Sequence, residues 1–275
     1  MKISLITACY NSAGTLPMAM GSVLAQKGVD IEYIVVDGGS ADGTTDLLRA
    51  HEDKFAATGR IAFRWLSERD RGMYDAINKG IRLATGDVVG ILNADDLLES
   101  SETLAHVAEG FNRTEQIDAV YADVRFVKDD LSTTVRYYSA KHWKPWMLQW
   151  GKMPPHPSVY IRRELFEKYG LYKLGYDIAA DYELLIRYLR TAKLTTRYLN
   201  ESLVRMRMGG KSTRGWRSNL KLNQEIVRGN RENGYFCCLP MLVPKYAFKV
   251  FEFILPRLGF GRSEGSAIIS PARLA

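Results

Sequence analysis

Two rhythms of apolar and polar positions alternate along the first hundred residues. Short runs rich in β-branched side chains give way to stretches where apolar residues recur every three or four positions, which predicts a parallel sheet with helices on its faces. Ile3 to Thr7 reads as the first strand. Asn11 and Ser12 offer side-chain oxygens to cap a helix whose Leu16, Met20, Val23 and Leu24 share one stripe. A second strand, Ile31 to Val36, ends at Asp37 and enters the turn Gly38-Gly39-Ser40-Ala41-Asp42-Gly43. A helix with Leu47 and Leu48 follows, then a third strand from Ile61 to Leu66 and a helix with Tyr74, Ile77, Ile81 and Ala84 at core spacing. Asp87 to Leu92 is nearly all apolar, as expected of a central strand covered on both faces, and stops at Asn93-Ala94-Asp95-Asp96.

Past residue 115 the pattern changes. Asp118 to Val127 and Thr133 to Tyr138 read as strands around a polar turn, and helices are expected over Arg162 to Tyr169 and Ala180 to Arg190. Trp143, Trp146 and Trp150 crowd the segment between; they are suited to stacking on sugar rings, with core packing expected for at least two of them. Toward the end Val243, Tyr246, Ala247, Val250 and Ile254 share a helical face opposite Lys245, Lys249 and Glu252. That stretch is amphipathic and, with its charges and bounding prolines, is no spanning helix of roughly 20 apolar residues; it either docks on the body or lies on a membrane.

Composition narrows the class. The 275 residues are 46% hydrophobic and 25% charged, the balance of an ordinary folded protein rather than a disordered, collagenous or coiled-coil one. Charge is uneven: residues 201–275 hold 13 basic and five acidic side chains, against 25 and 26 in residues 1–200. A local anionic partner, a phosphate group or a membrane surface, fits this better than nucleic acid, for which the basic region lacks interleaved aromatics. Three cysteines, two of them adjacent, build no disulfide framework and suggest a reducing compartment, and the N-terminal apolar run is too short for a signal peptide.

In an open parallel sheet ligands bind beyond the carboxyl ends of the strands, where helix N-termini and loop backbones point. The polar clusters Thr7 to Asn11, Asp37 to Asp42 and Asn93 to Asp96 all fall there. Neither the dinucleotide-binding Gly-x-Gly-x-x-Gly after the first strand nor a Walker loop is present. Asp95 and Asp96 repel each other, and Mg²⁺ or Mn²⁺, which takes one or two carboxylates plus substrate phosphate oxygens, is the natural compensation; the alternative is capping of the next helix.

The segments SLITACYNS, VVDGGSADGT, SERDRGMYDAINKGIRLATGD, GILNADD, HPSVYIRRELFEKYG and AADYELLIRYL, in this order over roughly residues 2 to 210, resemble glycosyltransferase family 2, the inverting GT-A nucleotide-sugar transferases. The resemblance implies a Rossmann-like, mostly parallel α/β sheet over residues 1–212, with a nucleotide-sugar half to about 115 and an acceptor half from 116, and leaves 213–275 as a basic helical extension. It implies that Thr7, Tyr10, Asn11, Asp37 and Arg71 surround the donor nucleotide, that Asp95 and Asp96 divide ribose and metal contacts, and that Asp181 is the catalytic base. With an ordinary pKa of about 4, Asp181 would be ionised at neutral pH. Three positions depart from the family pattern: Gly38 stands where many members carry a second acidic residue, often in contact with the base, Asn93 opens the metal motif, and Ala180 precedes the catalytic Asp.

The activity implied is transfer of one sugar, with a divalent cation, from a nucleotide-diphosphate sugar to a hydroxyl of a glycan or lipid-linked acceptor; rivals are transfer to a polyprenyl phosphate and a non-catalytic sugar-nucleotide-binding scaffold. Arg205, Arg207 and Lys211 flank Met208-Gly209-Gly210 and are candidates to close on the diphosphate, or form a surface loop with incidental charge. His156, in Pro154-Pro155-His156-Pro157, is a candidate acceptor contact or a structural hydrogen-bonder. The basic amphipathic tail points to a cytoplasmic protein, peripheral at the inner face of the cytoplasmic membrane.

Overall fold

A computed structural model describes residues 1–112, 116–208 and 216–246. Four strands, β1 (Lys2–Cys9), β2 (Asp30–Asp37), β3 (Ile61–Ser67) and β4 (Val88–Ile91), pair in parallel in the order β3-β2-β1-β4. Between them run α1 (Leu16–Leu24), α2 (Thr44–Ala56) and α3 (Met73–Leu83). The registers Cys9↔Asp37 and Asp37↔Ser67 bring the carboxyl ends of β1, β2 and β3 level, so the loops that follow them share one edge.

The later strands extend the same sheet. After β5 (Leu97–Leu98) and α4 (Thr103–Phe111), β6 (Ala119–Val127) and β7 (Thr134–Tyr138) form a hairpin. The short β8 (Tyr160–Arg162) lies antiparallel between β4 and β6, and β9 (Thr196–Arg207) runs parallel to β6 and antiparallel to β5. The helices α5 (Glu164–Tyr169), α6 (Ala180–Leu185) and α7 (Trp216–Glu232) complete the order.

Period-two alternation divides the interior into two layers. Ile31, Tyr33 and Val35 of β2 face the side packed by Leu16 and Met20 of α1 and Leu48 and Phe55 of α2, while Ile34 and Val36 face Ile77 and Ile81 of α3. The junction of the two halves is tight: a side chain at Gly90 in β4 would collide with the fully buried ring of Tyr160 in β8. Gly90→Ala is expected to cost about 2–3 kcal/mol by overpacking and to lower the thermal midpoint by ~5 °C in a calorimetric scan. An unchanged midpoint would mean that the β4–β8 contact tolerates expansion.

Several expectations need correction. Asn11 and Ser12 do not cap α1, which starts at Leu16 without a side-chain cap bond; Asn11 sits at φ 50° and is tied to the loop after β2 instead. The helix expected over 180–190 is α6 followed by a wider π turn, Ile186–Thr191, where Arg187 reaches the carboxylate of Glu183 and the carbonyls of Gly170 and Leu171. Only Trp143 of the three crowded tryptophans is buried, while Trp146 and Trp150 are exposed. The helix that opens the expected extension is joined to the body: Ile226 and Val227 enter the core, and the Glu225 carboxylate accepts from the N–H groups of Asp177, Ile178 and Ala179 at 2.8–2.9 Å. Of the amphipathic stretch 243–254, positions 247–254 lie outside the described residues.

Candidate active site

The loops after β1 and β2 are laced together before any ligand is considered. Asn11 N–H donates to Ser40 Oγ at 2.7 Å, Asn11 Oδ1 accepts from Ala41 N–H at 3.0 Å, and Ala13 N–H donates to Asp42 Oδ2 at 3.0 Å. Asp37, fully buried, knots the centre: its carboxylate accepts from Gly39 and Ser40 N–H at 3.1 and 3.0 Å, from Ser67 Oγ at 2.6 Å and from Ser40 Oγ. Burial alone would raise its pKa, but these hydroxyls and N–H groups hold it below the usual carboxylate value. Thr7 is also fully buried, donating to Leu92 O at 2.8 Å and accepting from Tyr33 Oη at 3.1 Å. Thr7 and Asp37 therefore shape this edge from beneath, while Tyr10 and Asn11 are its exposed members.

The glycine at 38 has a spatial explanation. A Cβ there would come 2.5 Å from Asp70 Oδ2 and 3.4 Å from the Tyr10 ring, so a carboxylate from the loop after β3 already occupies the space beside it. Gly72 N–H holds the other oxygen of Asp70 at 2.8 Å. Arg71, between them, keeps its guanidinium mostly in solvent, 3.5 Å from Asp75 Oδ1. Gly38→Asp is expected to push Asp70 aside and weaken nucleoside diphosphate binding about tenfold in calorimetry, and Asp70→Gly in the same chain to restore it. Equal affinity in Gly38→Asp and the parent would show that Asp70 moves freely.

At the end of β4 the acidic pair splits into two environments. Asp96 is buried, its Oδ2 accepting from Asn93 Nδ2 at 2.7 Å and its Oδ1 from Arg207 N–H at 3.2 Å. Burial, and then the charge of Asp95, push its pKa up to about 8. Asp95 is half-buried and accepts no hydrogen bond among the described residues. Of the three basic residues expected near the diphosphate, Arg207 stands beside this pair, with a buried Nε that finds no partner among the described residues. Arg205 does not: it is locked inside, 3.7 Å from Glu99 Oε1, which also pairs with Arg125, and bonded to the carbonyls of Glu99 and Leu131. Lys211 lies outside the described residues.

Asp181 opens α6 from its first turn, where the helix dipole favours a carboxylate. Its Oδ1 accepts from Tyr182 N–H at 2.8 Å and meets Tyr74 Oη at 3.3 Å. The tyrosine hydroxyl is committed to Ile178 O at 2.5 Å, so it anchors the carboxylate weakly. Burial raises the Asp181 pKa above the ordinary carboxylate value, against the opposing pull of His156 and these hydrogen bonds. His156 is half-buried beside it; burial lowers its pKa, and its Nε2 shares a 2.6 Å hydrogen bond with Tyr172 Oη. Tyr172 stacks on Tyr74 at 5.7 Å, closing a ring of aromatic side chains around the acid. Tyr74 and Tyr172 were not legible as site residues: spacing places Tyr74 in the core, and its hydroxyl reaches Asp181 only through a contact 107 positions apart.

Parallel strands that end at an acidic pair, continued by a mixed half-sheet that supplies a separate carboxylate, are the architecture of the GT-A transferases. The chain belongs to glycosyl transferase family 2, which matches residues 4–170, and it is a glycosyltransferase. A PGL/p-HBAD biosynthesis glycosyltransferase of Mycobacterium tuberculosis is 34% identical over 197 residues, covering 72% of this chain and 73% of the relative. The crystal structure of S. aureus TarS 1-349 in complex with UDP-GlcNAc aligns with a TM-score of 0.64 at 16% identity, over 96% of this chain and 75% of that one. The mannosyltransferase PcManGT from Pyrobaculum calidifontis, in complex with GDP-Man and Mn²⁺, aligns with a TM-score of 0.64 at 20% identity, over 95% and 76%. These likenesses establish the fold.

Proposed function

We propose that the protein moves one sugar from a nucleotide-diphosphate sugar to a hydroxyl of a glycan or lipid-linked acceptor, with a divalent cation and with inversion at the anomeric carbon. The observation that carries the reading is Asp181: a half-buried carboxylate at the start of α6, fixed by a backbone N–H and with its pKa raised by burial above the ordinary carboxylate value. Such a group is matched to taking a proton from an alcohol near neutral pH. Relatives and neighbours support the donor class, since TarS and PcManGT are solved with UDP-GlcNAc and GDP-Man.

The residues at the end of β4 fit Mg²⁺ or Mn²⁺. Among the described residues no three His, Cys, Asp or Glu side chains gather, so the chain supplies two carboxylates and leaves the other positions to diphosphate oxygens and water, as these ions prefer. Asp95, which accepts no hydrogen bond among the described residues, and Asp96, raised in pKa by burial and then by its neighbour's charge, are the residues that would hold the ion. When bound it supplies Lewis-acid stabilisation of the departing diphosphate.

The chain's own groups do the rest. Exposed Tyr10, Asn11 and Arg71, with half-buried Asp70, form the rim for the nucleotide over the platform of Thr7 and Asp37. Arg207 brings a fixed positive charge beside the acidic pair, toward the diphosphate. Asp181 accepts the acceptor's hydroxyl proton as its oxygen bonds to the anomeric carbon and the bond from that carbon to the diphosphate oxygen breaks. Attack opposite the leaving group inverts the centre. His156, held by Tyr172, lines the acceptor side. The test is nucleoside diphosphate release from a panel of UDP- and GDP-sugars with Mg²⁺, Mn²⁺ or chelator. Cation-dependent release with one donor is expected; equal release in chelator, or none with any donor, overturns the reading.

A further inference from the structure

Two stretches remote in sequence meet next to the helix that carries Asp181 and build one exposed face. The 3-10 turn Pro145–Trp150 packs on the 3-10 turn Leu239–Leu242. Gln149 Nε2 donates to Phe236 O at 2.6 Å, Cys237 Sγ lies 3.4 Å from Gln149 O, and a Cβ on Gly151 would sit 3.0 Å from Leu242 Cδ2. From this junction Trp146, Trp150, Phe236, Leu239 and Val243 remain 55, 41, 72, 45 and 64% exposed. Residues 141–152 and 233–246 contribute four lysines, at 141, 144, 152 and 245, and no Asp or Glu.

Five large exposed apolar side chains on two segments that touch mark an interaction site, since folded proteins otherwise scatter them singly. The chemistry chooses the partner. Lysine is depleted at protein–protein interfaces, whereas tryptophan rings and lysine stems both settle at the boundary between hydrocarbon and water. The absence of any carboxylate in both stretches removes what anionic headgroups would repel.

We propose that this face docks on an anionic lipid bilayer and presents the acceptor side to it. The binding itself stands without the catalytic reading; its use in catalysis rests on the assignment of Asp181. The connection is short: Tyr182, next to Asp181, donates its hydroxyl to Leu148 O inside the tryptophan turn. The turn that carries Trp146 and Trp150 is thus tied directly to the helix that carries the proposed base, and a bilayer on that turn would bring a sugar on a lipid carrier to the same side of the fold.

The full chain is sedimented with vesicles of phosphatidylcholine alone and with about a third phosphatidylglycerol. Binding to the anionic vesicles is expected, falling about tenfold in Trp146→Ser/Trp150→Ser and about as much in Lys141→Glu/Lys144→Glu. Brominated lipids should quench tryptophan emission in the parent far more than in Trp146→Phe/Trp150→Phe. Donor hydrolysis without lipid should be equal in all variants; its loss in the parent would count against the catalytic reading and leave the docking result intact. Undiminished vesicle binding in the serine variant would assign the anchor to residues 247–275 and overturn the proposal. So would absence of binding to anionic vesicles, or self-association that the serine variant abolishes.

Discussion

Replacing Asp181 by asparagine is expected to remove sugar transfer while making the protein more stable. The rate should fall by about 10²–10⁴, the span of a general base, with nucleoside diphosphate affinity unchanged. The stability change follows from the raised pKa of the folded-state carboxyl. Below the unfolded carboxylate value near 4, both states hold a neutral acid, and asparagine matches it in shape. As pH rises the unfolded chain ionises first, and the parent loses stability until its own raised pKa is passed. The advantage of Asp181→Asn should thus be absent below the ordinary carboxylate value, grow as pH rises above it and level off once the raised value is passed, as read by thermal melts across pH. Activity of the parent should fall as pH drops through the same raised value, above the ordinary carboxylate range. Full transfer in Asp181→Asn would remove the base and point instead to a phosphate acceptor, which needs no deprotonation.

The second large effect is expected at the end of β4. Asp95→Asn keeps size and polarity but halves the charge available to a cation, and should lower the rate with Mg²⁺ or Mn²⁺ by about 10²–10³. The cation concentration needed for half-maximal rate should rise as well. Asp95 is the better probe because Asp96 is bonded to Asn93 and to the Arg207 N–H, so changes there also disturb the loop. Calorimetry of nucleoside diphosphate with and without cation separates the effects: the parent should bind more tightly with the ion, and Asp95→Asn should lose most of that gain. An unaltered cation requirement would place the ion elsewhere.

The parallel half was legible because its signals are local. The apolar runs at 3–7, 31–36 and 87–92 fill strands covered on both faces, and the strand ends fall where polar residues begin. What stayed hidden depends on pairings that no local pattern encodes. The insertion of β8 between β4 and β6 requires residues 88–90 to find 160–162. Arg205 looks like a diphosphate ligand beside a glycine turn until the fold brings Glu99 against it. Tyr74 has the spacing of a core residue, which it is by its ring; only its hydroxyl belongs to the site. At least two of the three crowded tryptophans are expected in the core, yet only Trp143 is buried, while Trp146 and Trp150 sit exposed on the turn Pro145–Trp150.

One backbone ladder runs without a break from β3 through β1, β4 and β8 to β6 and β9. In the proposed reaction donor and acceptor would therefore be held against one continuous sheet rather than on two bodies hinged against each other. Admission, capture and product escape are left to the segments that border the sheet, so turnover should respond to changes in those borders far more than to cross-linking of its strands.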